Sequence, residues 1–291
     1  MSLNNFAPFI EAAMNPSPTV LSIGLIFLVV FPIVLHFLYS FITPSNNLPP
    51  SVLLIGPQTS GKTTLVTLFS NPSTPSKTHT SSTPSSTELS ISDNDDKKFL
   101  LIDTPGHPKL RARSVLAPLS SPDSKITIPG HDHNEKSPLK AVIFLVDSAA
   151  LADSDTLPQT AEYLYDVLLA LQNRFHSRKG ARAPSSMPVL IAANKMDLFT
   201  ALPPTLVKSI LEAELGRIRT ARSKGLLDSG VGQDDDLTEE RDDSWLGGDG
   251  SEKFKFEQMM EFDVEVEVIG GNVIGDGPGV DKWWKWVGER V

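Results

Sequence analysis

No cysteine occurs among the 291 residues, so disulfide bonds and thiolate metal sites are excluded. Basic residues are fewer than acidic ones: the formal net charge is −9, and no cluster of Lys and Arg indicates a nucleic-acid partner. The acidic excess is concentrated in residues 228–252, and the rest of the chain is nearly neutral. With 40% apolar and 21% charged residues, the composition suits one large globular domain with additional segments.

Charged side chains are also missing from residues 19–42, which are almost entirely apolar. As a helix this segment would be roughly 36 Å long, enough to cross the hydrocarbon core of a bilayer. A signal peptide is disfavoured because no basic n-region precedes the segment. A buried core helix is disfavoured because the segment is apolar all round. We therefore predict one transmembrane helix at 19–42, with a lumenal segment at 1–18 and a juxtamembrane linker at 43–50.

A phosphate-binding loop is the first motif after this segment. A short apolar strand at residues 52–55 is followed by the pattern G-x-x-x-x-G-K-T, beginning at Gly56. Glycines allow successive backbone N–H groups to surround an anion, and the helix that starts near Gly61 adds its positive N-terminal end. Lys62 can reach the β- and γ-phosphates, and the Thr63 hydroxyl can bind Mg²⁺. The predicted phosphate-binding residues of the loop are Gly56, Gln58, Thr59, Ser60, Gly61, Lys62, Thr63 and Thr64.

The tetrapeptide DTPG, which begins at Asp103, fits the pattern D-x-x-G and follows a predicted strand. Asp103 would hold Mg²⁺ through water, and the backbone N–H of Gly106 would contact the γ-phosphate. A match of four residues is often only a turn, so this motif has weight only beside the others.

The tetrapeptide NKMD, which begins at Asn194, fits the pattern N-K-x-D at the end of another predicted strand. The Asp197 carboxylate can accept a pair of hydrogen bonds that guanine donates and adenine cannot. The stem of Lys195 can lie over the base, and Asn194 can connect this loop to the phosphate loop. Three motifs in this order, each at a strand end, predict a guanine-nucleotide-binding domain.

The apolar runs define the order of the elements. Strands are predicted at 52–55, 87–92, 97–102, 140–146, 188–193 and 262–269, and helices at 62–69, 157–175, 204–222 and 280–290. This alternation predicts an α/β protein, a P-loop small-GTPase fold with a mostly parallel, doubly wound sheet. Within the GTPase domain, 51–291, we predict disordered insertions at 71–86, 118–138 and 225–252, which are rich in Ser, Thr and Pro or in acidic residues.

The stretches GPQTSGKTTL, LIDTPGH, AVIFLVDSAA, AEYLYDVL and IAANKMD follow the apolar segment in this order. Their combination resembles the signal recognition particle receptor beta subunit family, Arf/Sar-related small GTPases of the endoplasmic reticulum membrane. The resemblance covers residues 19–222 and implies GTP and Mg²⁺ as ligands. It also implies a single-pass protein with a cytosolic GTPase domain that binds the amino-terminal domain of the receptor alpha subunit in co-translational targeting. The contact would use switch segments at 76–88 and 103–115, with the translocon as a further candidate partner and no direct nucleic-acid contact.

The chain departs at two places from the pattern of the family that it resembles, and a third position is open between neighbouring threonines. His107 stands where Ras-like enzymes have a glutamine that positions water, so we expect slow GTP hydrolysis, or a histidine without a chemical role. Gly270 lies where a Ser-Ala-Lys loop is expected, so contact with guanine there would come from backbone N–H. Thr80 matches the Mg²⁺-binding threonine of switch I best, with Thr78 and Thr83 as close alternatives.

Three other functions fit parts of the pattern. A different membrane-anchored Arf/Sar-like GTPase in vesicle traffic is the nearest alternative, although Ser2 excludes the glycine that N-myristoylation needs. A P-loop ATPase or kinase would prefer adenine nucleotides. A scaffold that binds GTP without hydrolysing it would share every binding motif.

Overall fold

The computed structural model describes part of the chain, in ranges separated by short gaps. These ranges are 18–42, 48–71, 78–91, 98–121, 125–129, 136–177, 186–228, 245–247, 253–276 and 279–291. The chain divides into two compact units, Met1–Asn47 and Leu48–Val291. In the first unit, helix α1 spans Pro18–Ile42 and contains Pro32. Among the described residues, no helix is both long enough and apolar enough to cross a membrane.

The second unit alternates strands and helices, as predicted. Its strands are β1 (Ser51–Ile55), β2 (Ser85–Ser90), β3 (Lys98–Asp103), β4 (Lys125–Thr127), β5 (Lys136–Asp147), β6 (Met187–Asn194) and β7 (Val264–Gly270). Its α-helices are α2 (Lys62–Ser70), α3 (Pro108–Arg111), α4 (Ala117–Ser120), α5 (Thr156–His176), α6 (Pro204–Asp228) and α7 (Asp281–Arg290). A π-helical turn, Ala112–Leu116, joins α3 to α4, and 3₁₀ turns cover Ala150–Ala152 and Phe256–Phe262.

One seven-stranded sheet forms the centre of this unit, in the order β2-β3-β1-β5-β6-β7, with β4 paired to β5. Strands β3, β1, β5, β6 and β7 run parallel to one another, whereas β2 pairs with β3, and β4 with β5, in the antiparallel direction. The prediction of a mostly parallel sheet is confirmed. Because β1 has parallel neighbours on both sides, the loops after β1, β3, β5, β6 and β7 emerge at the same edge.

Apolar side chains are buried on both faces of the sheet. In β1, Leu53 and Ile55 face one core together with residues of α5 and α6, whereas Val52 and Leu54 face a second core with residues of α2 and α7. This alternation explains why β1 is a continuous apolar run, since a parallel strand covered by helices has no polar face.

Two of the predicted insertions contain regular structure, which corrects the sequence analysis. Within 118–138, β4 pairs with the first residues of β5, and Ile126 and Leu139 are buried in the same core. Within 225–252, α6 continues to Asp228, and Leu246 is buried. Ser-, Pro- and Asp-rich surroundings concealed these isolated apolar residues, whose burial depends on partners elsewhere in the chain.

Other parts of the predicted segments lie outside the described residues. These parts are 1–17, 43–47, 72–77, 122–124, 130–135, 229–244 and 248–252. The predictions of a lumenal segment, a linker and disorder are not tested there.

Trp283, on α7, provides a test of how the last helix contributes to stability. Its side chain is fully buried, and its indole Nε1 donates a hydrogen bond to the carbonyl oxygen of Ile269 at 3.0 Å. We expect Trp283→Ala to lower the free energy of unfolding by about 3–5 kcal/mol, through the cavity and the lost hydrogen bond. Lys285→Ala, on the exposed face of the same helix, should change it by less than about 0.5 kcal/mol. Urea unfolding followed by circular dichroism measures both, and equal effects would contradict this role for Trp283.

Candidate functional site

The loop between β1 and α2 is held closely against the sheet. Gly56 has a φ of 145°, and a Cβ there would lie 2.2 Å from the backbone oxygen of Leu145 on β5. A side chain therefore cannot replace this glycine without moving the sheet. The loop returns over Lys62, whose ammonium donates hydrogen bonds to the carbonyl oxygens of Gly56 at 2.9 Å and Pro57 at 2.7 Å.

Lys62 is itself buried, and this burial changes its acidity. Burial lowers its pKa from 10.5 to about 8, with the nearby Asp103 carboxylate acting in the opposite direction. A lysine that loses its hydration in this way gains from an anion that approaches it. The protonated form of Lys62 is therefore favoured when an anion occupies the phosphate loop.

Three hydroxyl and carboxylate groups meet at the end of β3. The Thr63 hydroxyl donates to Asp103 Oδ2 at 2.7 Å, and the Ser81 hydroxyl donates to the same oxygen at 3.2 Å. Thr63 and Ser81 are also 2.9 Å apart. Burial raises the pKa of Asp103, and the hydrogen bond from Thr63 opposes this increase.

This cluster fits a Mg²⁺ ion that shares its coordination with a phosphate. Asp103 Oδ1 is buried and has no hydrogen-bond partner among the described residues, so one carboxylate oxygen is available. Hydroxyl and carboxylate oxygens are the hard ligands that Mg²⁺ prefers, and this ion usually takes one or two protein oxygens beside phosphate and water. The described residues contain no group of three or more His, Cys, Asp or Glu side chains that could hold a metal without such a ligand.

A cavity of about 210 Å³ lies beside the phosphate loop and is closed by two other segments. Its lining consists of Gln58, Thr59, Gly61, Lys62, Thr63, Thr64, Thr78, His79, Thr80, Ser81, Thr104 and Gly106. Within residues 78–81, the hydroxyl of Thr78 lies 2.9 Å from that of Thr64, and Ser81 reaches Asp103. Thr80, the residue predicted to bind Mg²⁺, lines the cavity with an exposed side chain.

Gly106 makes the closest approach of the D-x-x-G loop to the phosphate loop. A Cβ on Gly106 would lie 2.8 Å from the backbone nitrogen of Gln58 and 2.8 Å from the ammonium of Lys62. The next residue, His107, is exposed and caps α3, its Nδ1 accepting a hydrogen bond from the backbone N–H of Lys109 at 3.2 Å. A neutral imidazole that accepts at Nδ1 carries its proton on Nε2, so His107 can donate to water but cannot accept a proton from it in this tautomer.

Asn194 connects the phosphate loop to the other side of the site. Its side chain is buried; Nδ2 donates to the carbonyl oxygen of Ser60 at 2.7 Å, and Oδ1 accepts from the backbone N–H of Val273 at 3.0 Å. Gly61 has a φ of 100°, and a Cβ there would lie 2.7 Å from the same Nδ2. One amide group therefore fixes the distance between two loops that are far apart in sequence.

The remaining residues of N-K-x-D are positioned by neighbouring loops. Lys195 has a positive φ of 65°, and its ammonium lies 2.5 Å from Asp147 Oδ2 at the end of β5. Asp197 is exposed, and a Cβ on Gly275 would lie 2.8 Å from its Oδ2. The carboxylate that was predicted to select guanine thus lies on the surface beside a glycine of the loop after β7.

The prediction that the backbone of Gly270 contacts the base stays a prediction. Gly270 is the last residue of β7, and a Cβ there would lie 2.5 Å from Pro204 at the start of α6. Gly270 lies beside the Met196 side chain, whereas Val273 and Gly275 lie beside those of Asn194 and Asp197. Buried Asn272 shapes this part of the loop, its Nδ2 donating to the carbonyl oxygen of Gly275 at 2.9 Å and its Oδ1 accepting from the N–H of Gly279 at 2.7 Å.

Three residues of the site were not predicted from sequence. Ser81 stands in a run of hydroxyl residues, where no local signal distinguishes it from Thr80. Asp147 ends a predicted apolar strand, and this position at the carboxyl end of β5 was a usable signal. Asn272 follows two glycines in a loop. Its role depends on the backbone groups of Gly275 and Gly279, which only folding brings next to its side chain.

The parallel sheet, the phosphate loop and the loops that meet it at one edge define a protein of the small-GTPase fold. The sequence also matches the family described as "Signal recognition particle receptor beta subunit" over residues 47–264. The chain belongs to this family, and the resemblance inferred from the motifs is confirmed.

Individual relatives support this assignment. The chain is 31% identical to the signal recognition particle receptor subunit beta of Saccharomyces cerevisiae over 244 residues, 83% of this chain and 84% of that protein. It is similar in structure to SRb-GDP-Mg of the signal recognition particle receptor from Chaetomium thermophilum, with 56% identity, a TM-score of 0.68 and coverage of 85% of this chain and 100% of that one. The SRb-GTP/SRX complex from the same organism gives 52% identity, a TM-score of 0.70 and coverage of 83% and 100%.

The lowered pKa of Lys62 predicts a pH dependence of triphosphate binding. Below pH 8 the lysine is protonated before binding, whereas above pH 8 binding must include uptake of a proton. We therefore expect the affinity for GTP to fall about tenfold between pH 7 and pH 9, with proton uptake appearing over the same range. Calorimetry in buffers of different ionisation enthalpy measures both quantities. An affinity that is the same at pH 7 and pH 9 would contradict a functional role for this shift.

Proposed function

We propose that the chain is the membrane-anchored, GTP-binding subunit of a signal recognition particle receptor, and that it binds the receptor alpha subunit in co-translational targeting. The observation that carries the proposal is the pair of hydrogen bonds made by Asn194, which joins the phosphate loop to the loop after β7, here called the base-side loop. Because the phosphate loop and the base-side loop are held at a fixed distance, the site suits a whole nucleotide rather than an isolated phosphate.

GTP and Mg²⁺ are the proposed ligands. Lys62 and the backbone of residues 56–64 would bind the phosphates, with Gly106 at the far end of the same cavity. Thr63 and Asp103 would hold Mg²⁺, which neutralises phosphate charge when bound. Asn194, Lys195 and Asp197 would bind guanine, with Val273–Gly275 rather than Gly270 as the nearest backbone. Structures of the Chaetomium thermophilum relative in SRb-GDP-Mg and SRb-GTP forms support this ligand pair.

The amino-terminal domain of the alpha subunit is the proposed partner. Two segments that the resemblance assigns to the switches, 78–88 and 103–115 within the described residues, both border the phosphate cavity. A γ-phosphate in this cavity would contact both segments and order them together. The existence of an SRb-GTP/SRX complex for a relative supports recognition of the GTP form.

We also propose that residues 19–42 cross the endoplasmic reticulum membrane once, with the GTPase domain in the cytosol. The described part of α1 does not by itself have the length and apolarity of a span, so the support is the sequence of residues 19–42, which has no charged residue, together with exposed apolar side chains such as Leu28 and Phe37. Alkaline extraction of membranes tests this placement: the full chain should stay with the bilayer, and a fragment comprising residues 45–291 should not.

Hydrolysis of GTP is proposed to be slow. The Nδ1 of His107 is used in capping α3, so its ring offers only a donor to water. GTP would then act chiefly as a ligand that orders the switch segments, and its slow hydrolysis would release those segments from the ordered state.

Asp197→Asn tests the proposed base preference. The amide would replace one acceptor with a donor, so guanine would lose part of its paired contact and xanthine would gain one. We expect the affinity for GTP to fall about tenfold or more and the affinity for xanthosine triphosphate to rise, measured by competition with a fluorescent nucleotide. Asp281→Asn, an exposed change at the start of α7, should alter neither affinity. An unchanged preference for GTP in Asp197→Asn would remove the guanine assignment.

Capture of the alpha subunit tests the proposed function as a whole. The full chain in detergent should retain the amino-terminal domain of the alpha subunit when loaded with GTP, and retain it much less when loaded with GDP. Lys62→Ala should abolish the difference, because it removes the cation that binds the phosphates. Equal retention in both nucleotide states would overturn recognition through the switches, and absence of retention would overturn the partner.

A further inference from the structure

Arg111 connects the D-x-x-G loop to the body of the domain. It is the last residue of α3, five positions after Gly106, and its Nε–H donates a hydrogen bond to the carbonyl oxygen of Gly106 at 3.3 Å. The side chain is half-buried, so this bond is partly shielded from water.

Its guanidinium is supported by an aromatic ring on a different element. The guanidinium carbon lies 4.0 Å from the centroid of the Tyr163 ring on α5. Tyr163 is buried and packs edge-on against Phe144 of β5, with ring centroids 5.3 Å apart. Arg111 is therefore stacked on a platform that belongs to the central sheet and its covering helix, and cannot swing away without losing this contact.

Charges around Arg111 place it within reach of the phosphate cavity. Burial lowers the pKa of Arg111, and Glu162 and Asp166 on α5 act in the opposite direction. The positive charge of Arg111 also contributes to the lowered pKa of Lys62. Gly106 lies between the two side chains, since its carbonyl oxygen accepts from Arg111 and a Cβ on it would lie 2.8 Å from the Lys62 ammonium.

Gly106 needs an external restraint because it cannot carry a side chain. The 2.8 Å approach of a Cβ to the phosphate loop requires glycine at this position. Glycine has the widest backbone freedom of any residue, so the local sequence does not fix where Gly106 lies relative to the phosphate loop. A hydrogen bond to its carbonyl oxygen from a stacked, planar donor supplies this restraint.

We propose that Arg111 is a positioning residue for the γ-phosphate: stacked on Tyr163, it holds the Gly106 carbonyl oxygen and thereby keeps Gly106 close to the phosphate loop, where its backbone can contact the γ-phosphate. The preference of the site for GTP over GDP then depends on Arg111, whereas GDP, which ends at the β-phosphate, is bound without it. This inference rests on the proposed function, since it assumes that the cavity binds a guanine nucleotide.

The ratio of GTP to GDP affinity is the test, measured with fluorescent analogues of both nucleotides on the full chain in detergent with Mg²⁺. We expect Arg111→Gln to weaken GTP about tenfold while GDP stays within about twofold. Arg111→Lys should behave in the same way, because lysine keeps the charge but lacks the planar stacking surface and the Nε–H donor. Tyr163→Leu should lower the ratio in the same direction, since it removes the ring on which Arg111 is stacked.

The matched control is Arg113→Gln, which removes an exposed arginine two residues further on and should change neither affinity. GDP affinity in each variant reports whether the domain is still folded. An unchanged ratio of GTP to GDP affinity in Arg111→Gln overturns the inference. An unchanged ratio in Arg111→Lys overturns it as well, because the charge of Arg111 alone would then be sufficient. If the unaltered chain binds neither nucleotide, the proposed function fails and the inference fails with it; if it binds both, the two are judged separately.

Discussion

The site depends on the single buried amide of Asn194, which holds two loops at a fixed distance. The phosphate loop follows β1 and the base-side loop follows β7, and these strands are separated in the sheet by β5 and β6. Without a connection between them, each loop would be ordered only by its own strand end. Asn194 accepts from one loop and donates to the other with no water between them, so the two positions are set together. Replacement of Asn194 by an apolar residue would leave the Ser60 carbonyl oxygen and the Val273 N–H without this partner, which is costly in a site shielded from water.

Close backbone approaches complete this constraint. Gly56 lies against the backbone of β5, Gly61 against Asn194, and Gly106 against the phosphate loop, each at a distance that excludes a Cβ. Glycine permits these contacts but leaves the chain free to move, so each needs a neighbouring group that fixes it. The sheet supplies that group for Gly56, Asn194 supplies it for Gly61, and the carbonyl of Gly106 is bonded to Arg111. The restraints on Gly56 and Gly61 come from the sheet and form the rigid part of the site. The restraint on Gly106 comes from the helix that follows the D-x-x-G loop, which is the movable part.

Much of this arrangement could be predicted from the chain alone, because parallel strands bring their following loops to one edge. The strand runs around Val52, Ile143 and Ile191 were recognisable as buried, and the motifs after them were therefore expected to meet. The predictions were wrong where local composition was a poor guide. Ile126 is a single apolar residue among Ser and Pro, yet it pairs with the start of β5 and is buried. Leu246 lies within the most acidic stretch, yet it is fully buried. Its carbonyl oxygen accepts a hydrogen bond from Arg219, and that of Trp245 accepts one from Gln172.

Residue type and spacing were sufficient to establish which chemical groups the chain offers: a lysine and glycines for phosphate, hard oxygens for Mg²⁺, and a carboxylate for a base. These are local properties, since a motif of four to eight residues contains within itself the backbone and side-chain groups that it offers to a ligand. The identity of the hydroxyl that reaches Asp103, the loop residues that lie beside Asp197, and the ring that supports Arg111 followed only from folding. Each of these contacts joins segments far apart in the chain, and no local preference distinguishes Ser81 from Thr80, or Gly275 from Gly270, before the strands and helices are packed together.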